Sequence, residues 1–543
     1  MKLLLPEVLT REHRAARVQP PREEGADTPD LKRLGAALER FTQRFPELPV
    51  LAIPWMHLRH PLGPVQERLL RQEPQAHAAF VSLVPRMLRC VLFGWYLSYW
   101  LLRVRWAVRR QLRDLKRQRF TVIARTCCFG PQPPADGNDF YFGDLQARLA
   151  KRGVGMLLLC GDSSGGHWLP FARGHIAGSG LCRLPEWGLV SPLAPIQMAV
   201  QQLRSCLRLR RRLRRMSEPD LRGIGELASR DCLSQTTALT GLMFWVGREA
   251  VRVWKPRALL SLYEGAAWEP CLWRGAKDID PSCLTVGYQH TAIFPESRAM
   301  VAPPARGSWS CPNLVLGLGP IPLELLRAGH ARHRTRMIRF GSFRHRSVGV
   351  RRPPEPARRS VLVVPEGIPS ETHTLFTFAA ACASRLPSYT FILRCHPQIP
   401  TALARTWVAE ALRTQPNLTI SEQGSIDEDF QRASVLLYRG SSSVLYAIGH
   451  GLLPMYYQAQ GSRDRDPLTA LDAWRRRCAS LEDLIDTLAD YERTDSALRE
   501  AEWEAAARFV DGYTGPVTHR SIEALLEAIG VTDSALEPRA RSD

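Results

Sequence analysis

Short β-branched or aliphatic segments alternate with helix-length polar segments from about residue 119 onwards. In the first half of this stretch the candidate strands are Phe120–Ala124, Gly155–Cys160, Ala258–Tyr263, Leu284–Tyr288 and Leu314–Leu316. In the second half they are Ser360–Val364, Tyr389–Arg394, Leu418–Ile420, Ser434–Tyr438 and Leu453–Tyr457. Alternation of strand and helix predicts βαβ units and largely parallel sheets.

The two sets of strands are separated by Arg351–Arg359 (RRPPEPARR), a Pro- and Arg-rich segment that we interpret as a linker. The predicted fold class is α/β, with two doubly wound, Rossmann-like domains that face each other across a cleft. The predicted bounds of these domains are 119–350 and 351–530. We expect an α-helical N-terminal extension at 1–118 and a flexible tail at 531–543.

The chain of 543 residues carries 73 Lys and Arg against 53 Asp and Glu, which makes a net charge of +20. This excess favours polyanionic neighbours such as phosphates or an anionic membrane surface. The 13 cysteines include no C-x-x-C pair, which favours buried thiols in a reducing compartment. The apolar run that begins the chain is too short for a signal peptide. We therefore expect a cytoplasmic protein.

The run Cys90–Leu102 (CVLFGWYLSYWLL) has 13 residues without a charge, whereas a bilayer core requires about 20. It is rich in Trp and Tyr, which favour the headgroup region. Eight cations and one acid, Asp114, follow between Arg103 and Arg119. This pattern predicts an interfacial helix at 87–119 that attaches the protein peripherally to the inner face of the cytoplasmic membrane. The alternative is a buried core helix followed by a solvated basic helix.

A second basic run, Arg204–Arg215, contains seven Arg and no acid. It is either a surface helix that contacts phosphates or a solvated helix face. Neither basic run carries the signature of a nucleic-acid-binding fold, so we expect no nucleic-acid partner.

Four polar motifs follow predicted strands, at the edge where parallel sheets bind their ligands. They contain Glu264, Gly265, Trp268 and Glu269; Gln289 and His290; His396 and Pro397; and Gly440, Ser441, Ser442 and Ser443. Each motif alone has an ordinary structural explanation, such as a capping carboxylate, a structural histidine or the N-cap of a helix.

The four motifs make more sense as one site. Ser442 and Ser443, at the start of a predicted helix, offer hydroxyl and N–H groups to a phosphate. His396 can donate a hydrogen bond to a second phosphate oxygen or protonate it. Glu264, in the opposite domain, can take the proton of an acceptor hydroxyl. A base on one side and phosphate-binding groups on the other are what transfer from a nucleotide-activated donor requires.

Several other chemistries lack their sequence patterns here. The chain contains no G-x-x-x-x-G-K-[ST] phosphate loop, no complete G-x-G-x-x-G and no G-x-S-x-G. It also contains neither H-E-x-x-H nor the H-x-E…C-x-x-C zinc pattern. We therefore expect no metal ion and no cofactor.

The order and spacing of the motifs resemble those of bacterial GT-B glycosyltransferases, in particular the sialyltransferase-like and Kdo-transferase-like enzymes that use CMP-activated sugars. The resemblance covers about residues 119–530. It implies that Glu264-Gly265 is the base motif, that His396-Pro397 is the His-Pro motif and that Ser442-Ser443 is the Ser-Ser motif. The sequence departs from the pattern at Tyr263, where an acidic residue is common. The motifs around Glu264 and His290 also look like those of bacterial surface-carbohydrate biosynthesis proteins, which act on lipopolysaccharide or capsule.

The resemblance implies an inverting, metal-independent glycosyltransferase whose donor is a nucleotide sugar and whose acceptor is a glycan or a lipid-linked molecule. The domain at 119–350 would bind the acceptor, through Gly265, Trp268, Glu269, Gln289 and His290, and the domain at 351–530 would bind the donor. Glu366, which also follows a strand and precedes Gly, is expected to contact the donor, and it is the rival of Glu264 as base. The retaining-type E-x7-E pattern is missing, because Glu366 and Glu371 are five residues apart.

Three alternatives remain open at this stage. A CDP-glycerol-type polyol-phosphate transferase has a similar fold and also uses a His-Pro and Ser-Ser pair. A UDP-sugar 2-epimerase shares the fold but does not require a basic surface that faces a membrane. A non-catalytic polysaccharide-assembly protein would tolerate the loss of Glu264 or His396.

Overall fold

The computed structural model describes residues 83–128, 138–162, 168–174, 182–294, 297–301, 311–344, 354–422, 424–459 and 465–531. Before residue 83 it describes only residues 36, 37, 40, 41 and 44, which are helical. Most of the N-terminal part of the predicted extension at 1–118 therefore lies outside the described residues. The same is true of the predicted tail at 531–543 after its first residue.

Thirteen strands are present in the described part of the chain. The first seven are β1 Val122–Cys128, β2 Met156–Asp162, β3 Arg183–Pro185, β4 Ala258–Leu262, β5 Leu284–Tyr288, β6 Leu314–Gly317 and β7 Arg336–Arg339. The other six are β8 Ser360–Pro365, β9 Thr390–Arg394, β10 Leu418–Ser421, β11 Val435–Arg439, β12 Leu453–Tyr457 and β13 Arg476–Cys478.

The helices surround these strands. The helices before β8 are α1 Leu83–Lys116, α2 Leu145–Ala150, α3 Trp168–Gly174, α4 Ala194–Leu213, α5 Pro219–Asp231, α6 Gln235–Trp254, α7 Trp268–Ile279, α8 Arg298–Val301 and α9 Pro320–His330. The helices after β8 are α10 Pro369–Arg385, α11 Thr401–Trp407, α12 Ala409–Thr414, α13 Ile426–Arg432, α14 Val444–Gly449, α15 Leu481–Arg493, α16 Ser496–Tyr513 and α17 His519–Ala528.

The strands form two sheets, one of seven strands in the order β3-β2-β1-β4-β5-β6-β7 and one of six in the order β10-β9-β8-β11-β12-β13. All neighbouring strands pair in parallel. The six-stranded order is the 3-2-1-4-5-6 order of a Rossmann sheet, and the seven-stranded sheet adds one edge strand to it. The predicted fold class, two doubly wound domains in a GT-B-like arrangement, is confirmed.

Buried apolar side chains of the second sheet and its helices form one hydrophobic core, and the two faces of the first sheet are covered by two others. A further core joins the start of α1 to α4 and α5. This helical layer lies on the first domain and contains both basic runs of the sequence. The predicted α-helical N-terminal extension is thus represented, in the described residues, mainly by α1.

The chain crosses between the two sheets twice, and the two crossings touch. The first crossing follows β7 and contains Gly341 and Ser342, and the second precedes α17 and contains Gly515 and Pro516. The N–H of Ser342 donates to the carbonyl of Gly515 over 2.7 Å. The last helix, α17, then packs on the core of the first sheet. The range predicted for the second domain, 351–530, is therefore a division along the sequence. In space, its last helix belongs to the core of the first domain.

All 13 cysteines are free thiols, and ten of them are buried. They serve as small apolar side chains in the cores, as the irregular spacing predicts. Among the described helices, none combines the length and the hydropathy needed to cross a bilayer.

Candidate functional site

A cleft of about 730 Å³ lies between the two sheets. Its lining includes residues that follow the neighbouring strands at which the strand order of each sheet reverses. In the first sheet these are β1 and β4, and in the second they are β8 and β11. Such reversal points leave a crevice at the carboxyl ends of the strands, because the helices that follow them pack on opposite faces of the sheet.

Most of the residues predicted from the sequence line this cleft. They are Glu264, His290, Glu366, His396, Pro397, Gly440, Ser441, Ser442 and Ser443. Glu264 and His290 come from the first domain and the other seven from the second. The structure therefore brings together motifs that are far apart in the sequence.

Four predicted residues do not line the cleft: Gly265, Trp268, Glu269 and Gln289. They lie behind the wall and support it. The fully buried Gln289 accepts a hydrogen bond from the N–H of Leu318 over 3.0 Å, which ties the end of β5 to the end of β6. Trp268 lies under the guanidinium of Arg125, 4.1 Å from it, and Arg125 is in turn paired with buried Glu186.

Glu269 fixes the turn that carries Glu264. Its carboxylate is fully buried and accepts the N–H of Glu264 over 2.7 Å and the N–H of Gly265 over 3.1 Å. Gly265 has φ +80°, a left-handed conformation that glycine adopts without strain. Burial raises the pKa of the Glu269 carboxyl well above its usual range, against the opposing effect of these N–H groups.

Glu264 is paired with His290. Nε2 of His290 lies 2.9 Å from Oε1 of Glu264, and the Glu264 side chain is 14% exposed to the cleft. The imidazole is itself packed edge-on against Tyr141, with the ring centres 4.5 Å apart. The His290 ring thus lies directly beside one carboxylate oxygen of Glu264.

Tyr263, where the resemblance leads one to expect an acid, faces the protein interior. It is buried, and its hydroxyl lies 3.0 Å from Nε2 of His330. An acid at this position would also be buried and would not reach the cleft. The presence of a tyrosine here therefore leaves the carboxylates of the cleft unchanged.

His396 is oriented by the backbone that follows it. Its Nδ1 accepts the N–H of Gln398 over 3.2 Å, so in this tautomer Nε2 carries the proton and can donate it to a ligand. The ring packs closely against Gly367, where a Cβ atom would lie only 2.7 Å from Nδ1. A glycine at this position therefore leaves room for the imidazole.

The Gly-Ser motif follows β11 in a tight turn. Gly440 has φ +65°, and a Cβ atom there would lie 2.8 Å from the carboxyl carbon of Glu366. The hydroxyl oxygens of Ser441 and Ser443 lie 2.7 Å apart. Small side chains at these positions let Glu366 and the serine hydroxyls share one corner of the cleft.

Glu366 belongs to a chain of ion pairs that extends behind the serines. Arg465 pairs with Glu366 and also lies 3.7 Å from Glu371, and Glu371 pairs with the buried Arg439. Burial opposes the charge of Glu371, but Arg439 and Arg465 outweigh burial and lower the pKa of this carboxyl. Two arginines stabilise the two carboxylates of the chain, which makes Glu366 a less suitable base than Glu264.

Sequence reasoning missed the part of the wall that follows β1. Asp139, Phe140 and Tyr141 line the cleft, and Asp139 accepts the N–H groups of Tyr141 and Phe142 over 2.9 and 2.8 Å. These residues lie after a predicted strand, as the other motifs do. The sequence feature that could have indicated them is the run of aromatic residues Phe140, Tyr141 and Phe142.

Three arginines also line the cleft: Arg148, Arg344 and Arg394. Arg344 belongs to the first crossing, and its guanidinium lies 5.1 Å from the Phe140 ring of the first domain and 6.0 Å from the Tyr446 ring of the second. Arg394 pairs with Asp429 over 2.7 Å. In the described residues, no three His, Cys, Asp or Glu side chains are grouped so that they could hold a metal ion.

Several solved structures show a distant similarity to this one. A Listeria monocytogenes protein described as a UDP-N-acetylglucosamine 2-epimerase has a TM-score of 0.47 and 11% identity over 78% of this chain and 99% of its own. UDP-GlcNAc 2-epimerase from Neisseria meningitidis, bound to UDP-GlcNAc, has a TM-score of 0.45 and 8% identity over 75% and 99%. The glycosyltransferase SnogD from Streptomyces nogalater has a TM-score of 0.39 and 14% identity over 76% and 100%.

Similarity at this level does not extend to an activity. No protein-family model matches the chain. No curated protein matches it either.

Proposed function

We propose that the protein is a glycosyltransferase that moves a sugar from a nucleotide-activated donor to a hydroxyl group of its acceptor. One observation carries this proposal. Glu264, which lies beside His290 in the first domain, lines the same cleft as His396 and the serines Ser441–Ser443 of the second domain. A carboxylate in one domain and phosphate-binding groups in the other are the two requirements of the transfer.

Each group has a defined role in the proposed reaction. The acceptor oxygen attacks the anomeric carbon while Glu264 takes the proton of the acceptor hydroxyl. The bond between the anomeric carbon and the phosphate oxygen breaks, and the nucleotide leaves as an anion. His396 donates a hydrogen bond from Nε2 to this anion, and the serine hydroxyls donate to its other oxygens.

The donor side has further groups that suit a nucleotide. The serine hydroxyls and Glu366 meet at Gly440, and Glu366 is held in place by Arg465. A carboxylate fixed in this way can accept hydrogen bonds from the hydroxyls of a sugar or a ribose. Arg344, which also lines the cleft, adds positive charge near the leaving group.

We further propose that the donor is a CMP-sugar, that the reaction inverts the anomeric centre and that it requires no metal ion. The acceptor would be a surface polysaccharide, such as lipopolysaccharide or capsule, or a lipid-linked precursor. The motif resemblance supports the choice of CMP. Inversion needs one base and no carboxylate nucleophile, and Glu264, which lines the cleft beside His290, is the carboxylate that we assign as this base.

A screen of nucleotides tests the proposal. The purified protein is melted with CMP, CDP, UDP and GDP, and the matching nucleotide should stabilise it by RT ln(1 + [L]/Kd), about 2.7 kcal/mol at a concentration of 100 Kd. We expect CMP to raise the melting temperature most. The His396→Ala variant should lose this stabilisation while its melting temperature without nucleotide stays close to that of the wild type.

His373→Ala is the matched control, because it removes an imidazole of the same domain that lies outside the cleft, packed edge-on against Trp407. This variant should keep the response to nucleotide. Consumption of CDP-glycerol with transfer of glycerol phosphate and release of CMP would favour the polyol-phosphate transferase, and interconversion of a UDP-sugar would favour the epimerase. A protein that no nucleotide stabilises would contradict an enzymatic role for this cleft.

A further inference from the structure

Helix α1 has two apolar faces that point in opposite directions. One packs into the cores of the protein through residues such as Leu97, Leu101, Val104 and Val108. The other is exposed to solvent and contains Val84, Leu88, Leu92, Trp95, Tyr99, Leu102 and Trp106, which are between 55% and 64% exposed. The two interpretations of this segment, a core helix and an interfacial helix, are therefore both compatible with the structure, because they concern different faces.

The exposed side chains form a continuous row. They recur every three or four residues, which places them on one side of a helix. At 1.5 Å per residue, the row from Val84 to Trp106 is about 33 Å long. We call it the α1 row. Isolated exposed apolar residues are normal in a soluble protein, but a contiguous row of this length is typical of an interaction surface.

The neighbouring helix α4 adds a second, shorter row. Its exposed apolar residues are Leu193, just before the helix, Val200 and Leu207, which are seven residues apart. The two helices are in close contact, since a Cβ atom on Gly94 would lie 3.1 Å from Cβ of Ala199. They are antiparallel, because Cys90 lies beside Gln202 while Gly94 lies beside Pro195.

Cations surround both rows. On α1 the exposed ones are Arg89, Arg103, Arg109, Arg110, Arg113 and Lys116, and on α4 they are Arg204, Arg208, Arg211 and Arg212. Asp114 is the only acid on α1, and α4 has none. The guanidinium of Arg109 lies 4.0 Å from the Trp106 ring, so cation and aromatic ring are presented side by side. The two basic runs of the sequence thus belong to one helical layer.

We infer that the exposed faces of α1 and α4 bind the surface of an anionic lipid bilayer. The apolar side chains would enter the acyl boundary, and the arginines would contact the phosphate groups of the lipids. A second copy of the chain fits less well. A symmetric contact would place two arginine-rich faces against each other, and on α1 and α4 only Asp114 could balance their charge. A nucleic acid offers no apolar counterpart to the α1 row.

Flotation of the full-length protein with vesicles tests this inference. We expect binding to phosphatidylcholine vesicles that contain phosphatidylglycerol, weaker binding as salt increases, and little binding to phosphatidylcholine alone. Each arginine near such a surface is worth about fivefold in affinity, so replacing Arg109, Arg110 and Arg113 by Gln should weaken binding about a hundredfold. Leu92→Glu combined with Trp95→Glu should weaken it at least about tenfold at any salt concentration.

Matched controls separate the face from the general properties of the protein. Leu498→Glu changes an apolar side chain of similar exposure, 54%, on α16. Replacing Arg327, Arg493 and Arg508 by Gln removes the same number of exposed charges elsewhere. Both controls should bind vesicles as the wild type does. Nucleotide stabilisation should be unchanged in all variants, so this test is independent of the proposed function of the cleft.

Four outcomes would overturn the inference. The wild type could fail to float with anionic vesicles at low salt. The α1 variants could bind as well as the controls, which would move the lipid contact elsewhere. The wild type could sediment as a dimer that Trp95→Glu dissociates. Finally, Trp95→Glu could lower the melting temperature of a protein whose wild type does not bind vesicles. Either result would show that a second copy or another segment of this chain covers the row.

Discussion

Glu264 is held from three directions. Glu269 binds its backbone N–H, Gly265 turns the chain directly after it and His290 contacts its carboxylate. Glu366, in contrast, is paired with Arg465, which stabilises its charged form. This pairing is the physical reason for assigning the base to Glu264 rather than to Glu366.

Glu264→Gln preserves the shape of this side chain and removes its ability to take a proton. General-base catalysis contributes about 10²–10⁴-fold to rate, so we expect kcat to fall by about that factor. Donor affinity, measured from the shift in melting temperature with nucleotide, should stay the same, because the donor-binding groups lie in the other domain.

Glu366→Gln is the comparison variant for this prediction. We expect it to weaken donor binding and to leave the pH dependence of kcat in place. If Glu264→Gln keeps near-normal kcat while Glu366→Gln does not, the two roles are the reverse of those assigned.

At the scale of elements, the pattern of the sequence predicts ten strands, and the structure contains all ten. It also contains three more, β3, β7 and β13, and each of them is an edge strand. Their sequences, RLP, RMIR and RRC, are short and carry arginines. A strand of three or four residues that carries arginines lacks the apolar run from which a central strand is recognised, even where it is buried, as β3 is.

The contact between α6 and α7 depends on two glycines. A Cβ atom on Gly247 would lie 2.0 Å from the carbonyl oxygen of Leu272, and one on Gly275 would lie 1.9 Å from that of Phe244. The two helix backbones therefore touch. No sequence periodicity indicates this contact, because glycine in a helix interior looks only unfavourable from the sequence.

Gly247→Ala tests this contact. Alanine gains about 1 kcal/mol in helix propensity, but a collision with backbone cannot be relieved by rotating a side chain. Overpacking costs up to about 3 kcal/mol, so we expect a net loss of about 2 kcal/mol in the free energy of unfolding. Urea denaturation measures this difference.

Gly241→Ala in the same helix is the control. A Cβ atom there would meet the end of the flexible Met198 side chain, 2.5 Å away, which can move. This variant should be as stable as the wild type or more so. Equal destabilisation by both substitutions would mean that the backbone contact has no special role.

At the scale of the whole molecule, the two crossings set the positions of the domains relative to each other. Gly341 has φ +99°, and a Cβ atom on it would lie 2.5 Å from the carbonyl oxygen of Pro516. The hydroxyl of Ser342 also lies 3.3 Å from that of Tyr446, a residue of the second domain that lines the cleft. The crossings thus lie directly beside the candidate site.

Gly341→Ala should therefore separate binding from transfer. The substitution strains the backbone and pushes the crossings apart, which displaces Glu264 relative to the donor groups. A misplacement of about 1 Å costs about 100-fold in rate, so we expect kcat to fall by that order while nucleotide stabilisation persists. Kinetic assays together with melts in the presence of nucleotide measure the two effects.

Gly515→Ala provides the control at the same crossing. Its nearest neighbour would be the Arg339 side chain at 3.8 Å, which is an ordinary contact distance. This variant should retain both activity and nucleotide stabilisation. If Gly341→Ala is as active as Gly515→Ala, the crossings do not control the geometry of the cleft.

The sequence by itself determined the fold class, the ten strongly apolar strands and the polar motifs that follow them, because these features depend on local patterns of a few residues. Only the tertiary structure decided the order of the strands. That order places the loop after β1 beside Glu264 and brings the Glu366, His396 and serine motifs into one cleft. The tertiary structure also places Gln289, Glu269 and Trp268 behind the residues that line the cleft. It further determines which face of α1 is exposed. Strand order and burial result from packing between residues that are distant in the chain, and a local pattern contains no information about them.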